Sequence, residues 1–99
     1  VQFDFDPGKD ATNLSKHGLS LAAAAELSWE AALVWLDDRA DYGEVRMVAL
    51  APIGDILFFV AFVDREPVRR IISLRRANRR EVSHYVEATQ EDQPEDAYT

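Results

Sequence analysis

Ile56-Leu57-Phe58-Phe59-Val60-Ala61-Phe62-Val63 is the most apolar run of the chain, and its reading decides the fold. Eight residues rich in aromatic and β-branched side chains are short for a helix and suited to a strand. The run lacks the apolar–polar alternation of a half-solvated strand, which places it at the centre of a sheet covered on both faces. Pro52 and Gly54 close off what precedes it, and Asp64-Arg65-Glu66-Pro67 reads as a turn after it, since proline interrupts a ladder.

Working outward, Val45-Arg46-Met47-Val48-Ala49-Leu50 reads as the preceding strand, and Ala32-Leu33-Val34-Trp35-Leu36 as the one before, across a polar turn from Asp37 to Gly43. Val68 to Leu74 is the fourth strand, followed by a helix from about Arg76 to Ala88. Connections this short favour an antiparallel meander. Toward the N-terminus, Phe3-Asp4-Phe5-Asp6 alternates as a very short strand. Asp6-Pro7 then opens a helix that runs to His17 and stops at Gly18. Ser20 caps a second, alanine-rich helix through Leu27. The expectation is an α+β domain over residues 1–88, with two N-terminal helices, a four-stranded antiparallel meander and a C-terminal helix, followed by an acidic, disordered tail over 89–99.

The chain has 99 residues, room for one core, and no cysteine, so disulfides and Cys-ligated zinc do not arise. No apolar run approaches the ~20 residues of a membrane helix, and the opening residues lack the pattern of a secretory signal; a cytoplasmic location without a membrane partner is expected. The net charge of −7 argues at first against a nucleic-acid partner. Its distribution reverses that argument: residues 64–81 hold seven arginines against three carboxylates, between an acidic body and a tail without a single Lys or Arg.

Lys9, Asn13, Lys16 and His17 share one face of the first helix, either as a solvated face or as a partly basic site beside a glycine turn. On the fourth strand, strict alternation places Arg70 with Val68, Ile72 and Leu74, and Arg69 with Ile71, Ser73 and Arg75. Arginines among apolar neighbours are either structural ion pairs, here with Glu44 or Glu81, or a phosphate clamp, because the guanidinium fork matches phosphate oxygens. Arg75, Arg76, Arg79 and Arg80 bunch at the junction with the last helix, as a solvated cluster or an anion site. The two histidines form no metal motif, and Asp37, Asp38 and Asp41 lack the spacing of a calcium loop.

Four stretches, in order, resemble the BrnT toxin family, whose fold is similar to that of RelE-like ribonucleases. Phe3-Asp4-Phe5-Asp6-Pro7-Gly8-Lys9 is similar to the family's opening aromatic-x-Trp-Asp-Pro-x-Lys. Asn13-Leu14-Ser15-Lys16-His17-Gly18-Leu19-Ser20 is similar to its Asn-x-x-Lys-His-Gly-Val-Ser. Gly43-Glu44-Val45-Arg46 resembles a Glu-x-Arg, and Arg70-Ile71-Ile72-Ser73-Leu74-Arg75-Arg76-Ala77 with Glu81 and Tyr85 resembles the closing segment. Phe5 stands where Trp is usual, Leu21 replaces an aromatic, Leu74 a small residue, and Ala51-Pro52 a Gly-rich turn.

The resemblance implies RNA cleavage without metal or other cofactor, arrest of translation, and a ribbon-helix-helix (BrnA-like) antitoxin through which operator DNA is reached. Applied to this chemistry, Arg46, Arg70 and Arg75 are candidates to hold the phosphate, since arginine stays protonated. His17, Lys16 and Glu44 are acid–base candidates, in that order. Lys9, Arg76, Arg79, Arg80 and Tyr85 are candidates for RNA contact, Tyr85 being equally a core residue. Arg76 and Arg80 are expected to dock an acidic antitoxin segment. The acidic tail either shields the basic stripe or merely solubilises. Two rival classes stand beside the enzyme: a non-catalytic RNA- or antitoxin-binding module, and a structural domain whose arginines are ion-paired.

Overall fold

The computed structural model describes residues 1–39 and 41–91. Its sheet has five strands: β1 (Gln2–Asp4), β2 (Leu33–Leu36), β3 (Met47–Ile53), β4 (Ile56–Arg65) and β5 (Val68–Arg76), in the order β1-β5-β4-β3-β2. The apolar run therefore lies in the central strand. The meander β2 to β5 is antiparallel as expected. The difference is β1, which pairs parallel with β5 through Gln2↔Val68 to Asp4↔Arg70 and makes the sheet mixed. A three-residue strand has too little pattern to announce a partner 66 positions away.

Helix α1 (Pro7–His17) begins and ends where its signals place it: the Asp6 carboxylate accepts from the Lys9 amide at 3.0 Å, and Gly18 adopts a left-handed φ of 70° while its N–H reaches Leu14 O. The second helix is not an α-helix. Leu21–Glu26 is a 3₁₀ segment capped by Ser20, and a second short one spans Trp29–Ala31. The reason lies in the burial of Leu21, Ala24 and Leu27, whose spacing of three matches a three-residue turn rather than 3.6. The last helix, α2 (Arg79–Glu91), starts later than the sequence suggested, because Asn78 and Glu81 form a reciprocal capping box: each backbone N–H donates to the other's side chain, at 2.9 and 2.8 Å. It also continues past Ala88, so residues 89–91 are helical; the remainder of the expected tail lies outside the described residues.

One face of the sheet presents Ala49, Ala51, Phe58, Val60, Phe62, Ile71 and Leu74 to Leu21, Ala24 and Leu27. The other presents Val48, Leu50, Phe59 and Ala61, with Trp35, Leu57, Ile72, Ala77 and Tyr85 packed around them. The Val, Leu, Ile and Phe side chains among them contribute ~1.5–3 kcal/mol each when fully buried. In β5, Ile71 and Leu74 belong to the first face although three residues apart. The cause is a bulge: Phe62 pairs with Ile71 and Ala61 with Ser73, leaving Ile72 as the extra residue. The alternation expected for the arginines is thereby rephased. Arg69 lies on the first face, over the rings of Trp29 and Phe62 at 4.5 and 4.4 Å, and Arg75 on the second, over Phe59 at 4.2 Å.

Candidate functional site

β1 pairs with only the first part of β5, so the edge of β5 from Ile71 onward needs another partner. Helix α1 supplies it. The buried side chain of Asn13 donates to Leu74 O at 2.7 Å and accepts from Leu74 N–H at 3.1 Å, while also donating to Leu19 O at 3.0 Å. Asp10 adds a second tie, its carboxylate accepting from the Ser20 hydroxyl and the Leu21 amide. Asn13, read with the polar stripe in the sequence, is thus the fastening of the helix rather than part of a solvated face.

This fastening sets Lys9, Thr12, Lys16 and His17 along one wall of a groove of about 410 Å³, with Ile72 and Ser73 of β5 and Arg46, which precedes β3, on the other side; Asp6 and Gly8 also line it. Three cationic side chains and an imidazole, from segments up to 37 positions apart, meet here. Against them stands Asp6, whose carboxylate is engaged at the start of α1. Lys9, Lys16 and His17 are exposed and so can meet a ligand, whereas Arg46 is mostly buried, its side chain 20 % exposed. Arg70 stands on β5 in register with Val63 and Asp4, and its guanidinium meets the Asp4 carboxylate at a long 3.4 Å. An arrangement of this kind can bind a phosphate diester and exchange protons with it.

The remaining candidates lie elsewhere. Arg75 is half-buried and forks onto Glu81 at 2.8 and 2.9 Å; that guanidinium, with burial opposing and the Asn78 amide assisting, holds the Glu81 carboxyl below its usual range. Arg75 lines a separate hollow with Trp35, Asp37, Arg39 and Phe59. Glu44 pairs with Arg65 at 2.9 Å and lines the outer side of the loop before β3. The Tyr85 hydroxyl donates to Ala31 O at 2.6 Å and its ring packs on the second core. Arg76, at the end of β5, and Arg79 and Arg80, at the start of α2, are exposed and lie outside the groove.

Sequence reasoning weighs Asp37 only as part of a calcium loop, which its spacing does not fit, and does not single out Tyr42. Asp37 is buried, and the Arg39 fork, at 2.7 Å to each oxygen, holds its carboxyl down at about 2 against the opposing effect of burial. The guanidinium of Arg46 lies over the Tyr42 ring at 4.1 Å. An Asp-x-Arg pair in a polar turn is the only sign of this in the sequence.

Among the described residues, no helix is long and apolar enough to cross a membrane. The chain matches, over residues 5–81, the family model described as "Ribonuclease toxin, BrnT, of type II toxin-antitoxin system". No curated protein matches the sequence.

Proposed function

The chain belongs to the BrnT family, the ribonuclease toxins of type II toxin–antitoxin systems, and we propose that it cleaves RNA in the groove between α1 and the second face of the sheet. Membership carries with it an RNA substrate and a cognate antitoxin. The observation that supports this choice of site is the meeting of Lys9, Lys16, His17 and Arg46 around one cavity.

The reaction needs no group that the chain does not possess. The 2′-hydroxyl oxygen attacks the adjacent phosphorus in line while its proton is taken up, and the bond to the 5′-oxygen breaks as that oxygen gains a proton. The products are a 2′,3′-cyclic phosphate and a free 5′-hydroxyl. In this reading His17 handles a proton, because imidazole is the side-chain type suited to both giving and taking one near neutrality. Lys16, its neighbour in the last turn of α1, acts with it. Arg46 and Lys9 stabilise the charge that grows on the phosphorane oxygens, where donors already in place act without reorganisation. Arg70, weakly held by Asp4, extends the cationic face along the substrate backbone.

The ribbon-helix-helix character of the antitoxin, its binding of operator DNA, the arrest of translation and a cytoplasmic location belong to the same proposal, supported by the resemblance of the four sequence stretches. Arg76, Arg79 and Arg80, exposed together, suit an acidic segment of that partner.

The test is cleavage of a purified RNA oligonucleotide in EDTA, with products identified by mass. Arg46→Ala should slow cleavage by ~10²–10³ and His17→Ala by ~10²–10⁴, both with unchanged thermal midpoints. Variants as active as the parent would move the site away from this groove.

A further inference from the structure

Arg46 differs from the other arginines around it. Arg39, Arg65, Arg69 and Arg75 each hold a carboxylate at 2.7–2.9 Å. Arg46 approaches Asp37 only to 3.7 Å, beyond hydrogen-bonding range, while both Asp37 oxygens accept from Arg39. Among the described residues its Nε is buried without a hydrogen-bond partner. A largely buried guanidinium that, among the described residues, hydrogen-bonds to no carboxylate needs a further contact to orient it.

The aromatic ring of Tyr42 does this. The Arg46 Cζ lies 4.1 Å from the ring centroid, well inside the range of cation–π attraction. The surrounding loop is built to keep the two together. It is closed at its base by the Asp37 N–H donating to Arg46 O at 2.8 Å, and beyond Tyr42 the chain turns back at Gly43, whose φ is 73° and whose N–H reaches the Asp41 carboxylate at 3.0 Å. Asp37, ionised and forked by Arg39, keeps a carboxylate near Arg46 without accepting a hydrogen bond from it. The loop thus presents a cation whose donors make no hydrogen bond to a carboxylate among the described residues, on the side where Arg46 lines the groove with His17 and Ser73.

We propose that Tyr42 is a positioning residue of the ribonuclease reaction, its ring face keeping the Arg46 guanidinium directed toward the scissile phosphate. A π-face orients arginine without consuming its donors, which a carboxylate fork would take. The inference rests on the reading of the groove as the cleavage site, and the experiment separates the two.

Tyr42→Leu, Tyr42→Phe, Arg46→Ala and the double variant Tyr42→Leu/Arg46→Ala are compared in single-turnover cleavage of one RNA oligonucleotide, with thermal midpoints recorded. Tyr42→Leu should lose about tenfold in rate, which corresponds to about 1.4 kcal/mol, and Tyr42→Phe should retain nearly full rate because the ring face remains. In the Arg46→Ala background Tyr42→Leu should cost nothing further. If Arg46→Ala is slow while Tyr42→Leu matches the parent, the positioning role is overturned and the cleavage site stands. If the two losses add, Tyr42 acts on something other than Arg46 and the role is likewise overturned. If Arg46→Ala is as fast as the parent, the site itself is wrong. Should Tyr42→Leu lower the midpoint, Tyr42→Gln takes its place in the same cycle.

Discussion

Asn13 and Leu74 are joined as residues of neighbouring strands are, with one side-chain amide replacing a strand's backbone: it donates to Leu74 O at 2.7 Å and accepts from Leu74 N–H at 3.1 Å. A helix is thereby docked on a sheet edge through a single residue, and Lys16 and His17, one turn further on, are placed relative to Ser73 and Ile72.

Asn13→Ala should therefore destabilise the protein by about 2–4 kcal/mol, since it leaves a buried N–H and C=O of Leu74 without partners. Denaturant unfolding would show a lowered midpoint at unchanged slope. Asn13→Asp should be no better, because a carboxylate cannot donate to Leu74 O. A midpoint equal to the parent's for Asn13→Ala would mean that α1 is held by Asp10 and apolar contacts alone.

For Arg75 the expected effect is on stability. Its fork onto half-buried Glu81 ties the end of β5 to the start of α2, and its guanidinium covers Phe59. Arg75→Ala should lower the thermal midpoint by several degrees, the scale of ~1 kcal/mol in a domain of this size, while the folded fraction cleaves RNA at close to the parental rate. Retained stability with lost cleavage would return Arg75 to the phosphate.

Acid sensitivity should trace to Asp37. Its carboxyl sits at about 2 in the folded chain, against 3.8 ordinarily. A depressed carboxyl stabilises the fold above its unfolded value, and that contribution is lost as pH falls from about 4 through about 2. Arg39→Ala removes the fork and leaves the carboxylate buried, so its acid unfolding, followed by far-ultraviolet circular dichroism, should begin at higher pH than the parent's. Coincident acid transitions would show that the pair carries no stability.

Much of the fold was legible in local pattern. The apolar run 56–63 announced a central strand, and Asp6, Pro7 and Gly18 announced the limits of α1, because cap and turn chemistry acts within a few residues. The Asn78-x-x-Glu81 spacing of the capping box is equally visible, although the arginine run around it suggests an earlier helix start. What pattern could not supply was pairing between distant segments: β1 on β5, Asn13 on Leu74, and the bulge. The candidate site was legible in the same uneven way. Lys9, Lys16 and His17 shared a helical face and do share a groove wall; Arg75 shared only a charge type with Arg46, Glu44 only a neighbouring position, and neither lines the groove. Tyr42 was invisible, since nothing in a turn of aspartates marks one ring as the support of an arginine.

The extra residue at Ile72 gives β5 a second kind of information, carried by its length. Side chains along this strand can be exchanged one at a time, and each exchange acts locally. Straightening the bulge with Ile72 retained in the ladder would instead shift the parity of one end of the strand. Arg69 would turn away from Trp29, or Arg75 from Phe59, although every side chain involved was still present. For such a segment the place of one unpaired residue is as much a part of the design as the composition.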